Sequence, residues 1–98
     1  MDIKNVDVTY LGKLTKTIYK VHGENHPELE DVYNKFIEIK EDLENNNSTQ
    51  ISEKLKELRS FAKDYKIPDD VCETYVKTYE QLQELELEIN QKLSEPRH

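Results

Sequence analysis

Residues 27–44, PELEDVYNKFIEIKEDLE, decide the fold class, because their apolar side chains recur at every third or fourth position. This spacing places them along one face of a helix and leaves charged residues on the other. Pro27 suits the first helical position, where its missing N–H costs nothing. The stretch therefore predicts an amphipathic helix that packs against other helices. Its apolar stripe consists of Leu29, Val32, Tyr33, Phe36, Ile39 and Leu43.

The rest of the chain repeats this helical pattern between three breaks, which lie at Gly23, at 45–49 and at 67–70. The pattern predicts helices over about 6–22, 27–44, 49–65 and 68–93, without alternating strand segments. Short connections between long helices favour an antiparallel, up-down-up-down four-helix bundle. No internal repeat or flexible linker is visible, so residues 1–98 are predicted to form one all-α domain.

Local signals refine the ends of these helices. Gly23 is expected to end the first helix with a positive φ. Asn47 and Gln50 have the spacing of a capping box, with Ser48 as a competing N-cap. Asp69 and Asp70 are expected at the start of the fourth helix, where negative charge is favourable. The inward seam of that helix is predicted to comprise Cys72, Tyr75, Tyr79, Leu82, Ile89 and Leu93.

Composition excludes several classes of function. The chain of 98 residues carries 14 Lys and Arg against 21 Asp and Glu, for a net charge of −7. Such a chain is not expected to bind nucleic acid, which needs clustered cations. No three hydrophobic residues are consecutive, so no membrane contact is expected, and Met1–Lys4 does not resemble a signal peptide. The single cysteine, Cys72, cannot form an internal disulfide, which favours a cytoplasmic location.

The histidines are the first candidates for chemistry. His22 follows Ile18 by four residues, so it can lie on the inner face of the first helix. There it is either a metal ligand or a packed, hydrogen-bonded side chain. His26 precedes Pro27 and is interpreted as a turn or cap residue rather than a ligand, because Gly23 and Pro27 prevent helical pairing with His22. His98, at the terminus, is given no role.

Cys72 and Glu86 are the other candidates, and each has two interpretations. Cys72 is either a buried seam residue or a reactive thiol in the first turn of a helix. Most glutamates of the helices, Glu88 among them, are interpreted as a solvated face, whereas Glu86 interrupts the seam of the fourth helix. It is either a boundary carboxylate or a buried acid paired with a tyrosine hydroxyl, a lysine or His22.

Two stretches together resemble a known family. The run VHGENHPEL at 21–29 is similar to the start of the second helix in the hemerythrin-like domain of bacterial iron–sulfur cluster repair di-iron proteins. The stretch from Leu58 to Glu86, with Pro68, Cys72 and Tyr75 at its centre, is similar to its last two helices. The resemblance extends in order from about Leu11 to Ile89. It implies a four-helix bundle, which in the family holds a non-haem di-iron centre on histidine and carboxylate ligands.

Carried over residue by residue, the resemblance supplies few metal ligands. His22 matches the histidine of the family's Val-His-Gly run, whereas the histidine pair of the family's first helix would fall at or before Met1. The remaining ligand positions carry side chains that do not suit iron, namely Asn46, Gln50, Lys92 and Pro96. The resemblance thus implies a bundle without its metals, its interior refilled by Tyr75, Tyr79 and a contact between Glu86 and a lysine.

These observations predict a non-catalytic binding or regulatory module that needs no cofactor. The resemblance connects it with iron–sulfur cluster repair or a stress response. The expected partner is another protein or a second copy of the chain in a homodimer. Two alternatives are open. One is an iron-binding protein with a reduced or intersubunit site around His22, His26 and Glu86, and the other is a plain helical interaction protein.

Overall fold

The computed structural model describes residues 1–94, and this part of the chain contains four α-helices and no β-strand. The helices are α1 (Val8–His22), α2 (Glu28–Glu44), α3 (Ile51–Phe61) and α4 (Glu73–Ser94). The predicted all-α four-helix bundle is therefore confirmed. Pro96 and His98, which carried predictions above, lie outside the described residues.

The two ends of α1 have clear local causes. The helix begins at Val8 because the Asp7 carboxylate caps it, accepting a hydrogen bond from the Tyr10 N–H at 3.0 Å. Gly23 follows its last residue, but the predicted positive φ is wrong, since φ is −61°. Glycine is needed there for space instead. A Cβ atom at Gly23 would lie 2.4 Å from the Tyr19 carbonyl oxygen.

The connection between α3 and α4 is longer than predicted. Helix α3 ends at Phe61 rather than at Tyr65, because Lys63, Asp64 and Tyr65 adopt left-handed φ angles of 53°, 57° and 60°. Helix α4 begins at Glu73 rather than at Pro68. The two aspartates expected in its first turn therefore precede the helix and belong to the connection.

The start of α3 also differs from the prediction. The helix begins at Ile51 and has no side-chain cap, so the capping box of Asn47 and Gln50 does not form. A capping box needs its first residue directly before the helix, and Asn47 lies too early for that. Its side-chain oxygen instead accepts a bond from the Thr49 N–H at 3.4 Å, within the turn.

Every helix contributes its apolar face to one core. Helix α1 packs against α2 and α4, and α2 packs against α3. Residues with no exposed surface are Phe36, Ile39, Leu58, Thr78, Leu82, Leu85 and Ile89. Leu85 occupies the inward position between Leu82 and Ile89, at helical spacings of three and four. The prediction that Leu93 belongs to the inward seam of α4 is wrong, since Leu93 is 39% exposed.

The segment before α1 is held against α4 by a glutamate. Glu88 is only 5% exposed, and its carboxylate accepts bonds from the backbone N–H groups of Lys4 and Asn5 at 2.7 and 2.8 Å. The sequence pattern had placed Glu88 on a solvated face. That interpretation is wrong because the N-terminal segment covers this side of α4 and presents two amides that need an acceptor.

No helix within residues 1–94 has both the length and the apolar character needed to cross a lipid bilayer.

Candidate functional site

Three of the predicted site residues meet at one end of the bundle. His22 is the last residue of α1, His26 lies in the turn before α2, and Cys72 directly precedes α4. Both imidazole rings pack at steep angles to the Tyr75 ring, at centroid distances of 5.4 Å for His22 and 5.8 Å for His26. We call this region the histidine end, defined by His22, His26, Asp70, Cys72 and Tyr75.

His22 pairs with the cysteine. Its Nε2 atom lies 3.2 Å from the Cys72 Sγ atom. Cys72 is exposed, so the expectation of a buried seam residue is wrong. The reason is the late start of α4, which leaves Cys72 in the connection before the helix rather than on its inward face. The interpretation of His22 as a hydrogen-bonded side chain packed on a neighbour agrees with these contacts.

His26 joins the start of α2 to the connection before α4. Its Nδ1 atom lies 3.3 Å from the Glu28 carboxylate, and its Nε2 atom lies 3.0 Å from that of Asp70. The ring is mostly buried, with 14% of the side chain exposed. Both nitrogens are thus engaged, so the imidazole fixes the position of the connection.

Two buried tyrosines lie beside His26. The hydroxyls of Tyr75 and Tyr79 share one hydrogen bond of 3.1 Å, and their rings are 4.7 Å apart. Burial is the main cause that raises the pKa of both phenols above the usual value. Both therefore remain neutral hydroxyl groups at physiological pH. Their burial agrees with the expectation that tyrosines fill the interior of the bundle.

The tyrosines form part of a cleft of about 300 Å³. We call it the tyrosine cleft, and its lining consists of His26, Glu28, Ala62, Lys63, Lys66, Pro68, Tyr75 and Tyr79. The Lys63 ammonium lies at the rim, 4.0 Å from the second oxygen of Glu28. Sequence reasoning missed both lysines. No local motif marks them, and they reach the cleft only through the left-handed turn at 63–65.

Glu86 lies apart from the histidine end. Its carboxylate accepts bonds from the Tyr65 hydroxyl and from the Arg59 Nε–H, both at 3.1 Å. The interpretation as an acid paired with a tyrosine hydroxyl is confirmed, whereas the expected contact with a lysine or His22 is wrong. Burial and the neighbouring carboxylate raise the pKa of Tyr65. The trio links α3 and its following turn to α4.

The residues around His22 do not fit a di-iron centre of the kind that the hemerythrin-like family holds. Such a centre needs several carboxylates and histidines that converge. Within residues 1–94, no three His, Cys, Asp or Glu side chains form a group suited to a metal ion. No carboxylate in this part of the chain bonds to His22, and the carboxylates at His26 lie on opposite sides of its ring.

Comparison with protein-family models, with curated proteins and with solved structures gives no match to this chain. The hemerythrin-like resemblance therefore stays a prediction, and function has to be argued from the geometry of the histidine end and the tyrosine cleft.

Proposed function

We propose that the chain is a non-catalytic binding module and that the tyrosine cleft is its binding site. The observation that carries the proposal is the cleft itself, about 300 Å³ in volume and lined by two buried tyrosines and two lysines. Small-ligand sites have this character, with mostly apolar walls and a few convergent polar groups, and volumes from about 300 Å³ upward.

The state of the nearby side chains supports binding rather than catalysis. A general base needs a free nitrogen or carboxylate within reach of the reacting proton. His26 has both nitrogens engaged by carboxylates, and the raised pKa values keep Tyr75 and Tyr79 protonated. His22 and Cys72 are not part of the cleft lining. The groups around the cleft can therefore hold a ligand but are poorly arranged to transform it.

The proposal includes the helix directions, which alternate as in a hemerythrin-like bundle. Ion pairs between α2 and α3 support this. Lys35 meets Glu57 at 3.0 Å, and the later residue Asp42 meets the earlier residue Lys54 at 2.7 Å. Between α1 and α4, Asn5, before the start of α1, contacts Glu88 near the end of α4, whereas His22, the last residue of α1, contacts Cys72, directly before the start of α4. In both helix pairs, the residue numbers of the contacts increase along one helix while they decrease along the other, as expected for antiparallel helices.

A fragment screen by two-dimensional NMR tests the proposed site. Small aromatic and aliphatic fragments of both charges are added to ¹⁵N-labelled protein, and the perturbed amides are mapped. We expect them to cluster around Ala62, Lys66 and Tyr75. The Ala62→Leu variant fills the cleft and should abolish these shifts while circular dichroism remains helical. Fragments that perturb only other regions, or that bind Ala62→Leu equally well, would refute the proposed site.

Metal binding is a second candidate, favoured by the contact between His22 Nε2 and Cys72 Sγ. An imidazole nitrogen and a thiolate are typical ligands of divalent transition metals, and two copies of the pair would supply four. Iron or zinc held between two chains would appear as one ion per dimer in elemental analysis. The His22→Ala variant should lose that ion. A monomer purified without stoichiometric metal would remove this candidate.

A further inference from the structure

We infer that the tyrosine cleft recognises a carboxylate carried on a small apolar body. The inference rests on the proposed function, because it names the class of ligand for the same site. It follows from a spare hydroxyl hydrogen on the tyrosine pair that lines the cleft, from a rim lysine that pairs with no described residue, and from the contact of Glu28 with His26.

The spare hydroxyl hydrogen belongs to the tyrosine pair. Each phenol has one hydroxyl hydrogen, and the single bond between Tyr75 and Tyr79 uses one of the two, whichever residue donates. No second hydrogen bond from either hydroxyl forms within residues 1–94. Both tyrosines are only 1% exposed, and both line the cleft. A spare hydroxyl hydrogen favours a ligand that brings an acceptor.

The rim favours a negative acceptor. Lys66 is exposed, and its ammonium makes no ion pair with any described residue. Lys63 is 73% exposed and lies 4.0 Å from Glu28, at the outer limit of an ion pair. Two lysines at the rim supply positive charge in a chain whose net charge is −7. Charge-assisted bonds to an incoming anion are stronger than bonds to a neutral acceptor.

A cationic ligand is disfavoured by the state of Glu28. One of its oxygens contacts His26 at 3.3 Å, and the other lies 4.0 Å from Lys63. Glu28 is the only acidic residue among the described residues that line the cleft, so an ammonium group would compete with His26 for its carboxylate. The remaining walls are Ala62, Pro68 and the two tyrosine rings, which suit an apolar body. Together these features select a carboxylate with a compact hydrocarbon or aromatic group.

The turn at 63–65 explains how the lysines reach the cleft. Three consecutive non-glycine residues in the left-handed region are costly, at roughly 1–2 kcal/mol each. Such strain is found most often at functional sites, where the surrounding structure holds it in place. Here the turn directly follows α3, and both Lys63 and Lys66 line the cleft.

Titrations with three matched probes test the ligand class. Phenylacetate, its neutral amide phenylacetamide and the cation phenethylammonium share a ring and differ in the polar group. Amide shifts of ¹⁵N-labelled protein give each dissociation constant. We expect phenylacetate to bind in the cleft at least tenfold more tightly than either of the other probes. A peptide with a free C-terminal phenylalanine, and its amidated form, show whether a polypeptide terminus is accepted as the source of the carboxylate.

Two variants test the assigned donors. The double variant Tyr75→Phe/Tyr79→Phe removes both hydroxyls and keeps both rings, whereas a single change would leave one hydrogen free. Lys66→Gln removes a rim charge without touching the core. We expect each to weaken phenylacetate binding about tenfold. Lys77→Gln, an exposed lysine on α4, is the matched control and should bind as the wild type does.

The outcomes separate the ligand class from the proposed function. If the amide or the cation binds in the cleft as tightly as phenylacetate, the site stands and the carboxylate assignment is overturned. Equal phenylacetate binding by Lys66→Gln and the wild type would also overturn it. If none of the fragments perturbs the cleft, both the site and the assignment are wrong.

Discussion

Glu86 and Glu88 lie two residues apart on α4, and their surroundings give them different roles. Glu86 accepts from Arg59 and from the Tyr65 hydroxyl, whereas Glu88 is buried and accepts two backbone amides. The sequence pattern identified Glu86 as unusual because it interrupts an apolar seam. It could not identify Glu88, since the segment that buries it lies more than 80 residues away in the chain.

Replacing Glu88 should loosen the N-terminal segment. Glu88→Gln removes the charge and leaves only one acceptor for the two amides of Lys4 and Asn5. Because bonds to charged groups contribute about 1.5–3 kcal/mol, we expect the free energy of unfolding in urea to fall by about 2 kcal/mol. Amide exchange at Lys4 and Asn5 should accelerate. The exposed neighbour Glu84→Gln is the control, and equal losses in both variants would contradict this role of Glu88.

The buried tyrosines predict a fall in stability at alkaline pH. The folded pKa of Tyr65 is raised above the unfolded value near 10, as are those of Tyr75 and Tyr79. Above pH 10 the unfolded chain therefore loses protons that the folded chain retains. Above pH 10, each tyrosine lowers the free energy of unfolding by up to about 1.4 kcal/mol per pH unit. Below pH 10 the tyrosines are protonated in both states, so their stabilising contribution is fully present.

Urea unfolding between pH 9 and pH 11 measures this dependence. Tyr65→Phe removes one of the three groups, so its free energy of unfolding should fall less steeply with pH than that of the wild type. Identical slopes for the two proteins would show that Tyr65 does not carry the assigned shift.

At the scale of elements, the sequence predicted four helices and placed the starts and ends of α1 and α2 within two residues. The residues that cap or end these two helices, Asp7, Gly23 and Pro27, lie next to the helix ends in the sequence, so a local pattern can identify them. The connection between α3 and α4 was predicted to be too short, and the reason is physical. Its left-handed turn uses Lys63, Asp64 and Tyr65 instead of glycine or asparagine, so its residues carry no turn signal.

Glycine should relieve strain in this turn. Asp64 has a φ of 57°, and its exposed pair with Arg59, at 3.7 Å, contributes little. We therefore expect Asp64→Gly to raise the free energy of unfolding by up to about 1 kcal/mol. Asp69 lies in the same connection and is not among the residues with positive φ. Asp69→Gly should give no such gain, and a gain of equal size there would contradict the assignment of strain.

On the scale of the whole molecule, the candidate site depends on contacts that no local pattern encodes. The sequence singled out His22, His26 and Cys72, and the fold brings all three to one end. It did not single out the rim lysines or the pairing of Tyr75 with Tyr79. Those arise because the turn after α3 packs against α2 and α4 at the same place.

The proposed helix directions predict distances between spin labels. In a Cys72→Ser background, labels at Thr9 and Glu41 should be closer together than labels at Thr9 and Glu30. If α1 and α2 are antiparallel, the difference should be on the order of 10 Å, since 11 residues of helix extend for about 16 Å. Double electron–electron resonance measures both distances. The reverse order would exclude the alternating arrangement.

Intermolecular nuclear Overhauser effects locate a bound carboxylate most directly. Phenylacetate is mixed with isotope-labelled protein, and contacts from its ring protons are assigned. We expect contacts to the ring protons of Tyr75 and Tyr79 and to the Ala62 methyl group. A second cleft, of about 360 Å³, has a lining that includes Met1, Val6 and Leu43. Contacts to those three residues, with none to the tyrosines, would show that the tyrosine cleft is not the binding site.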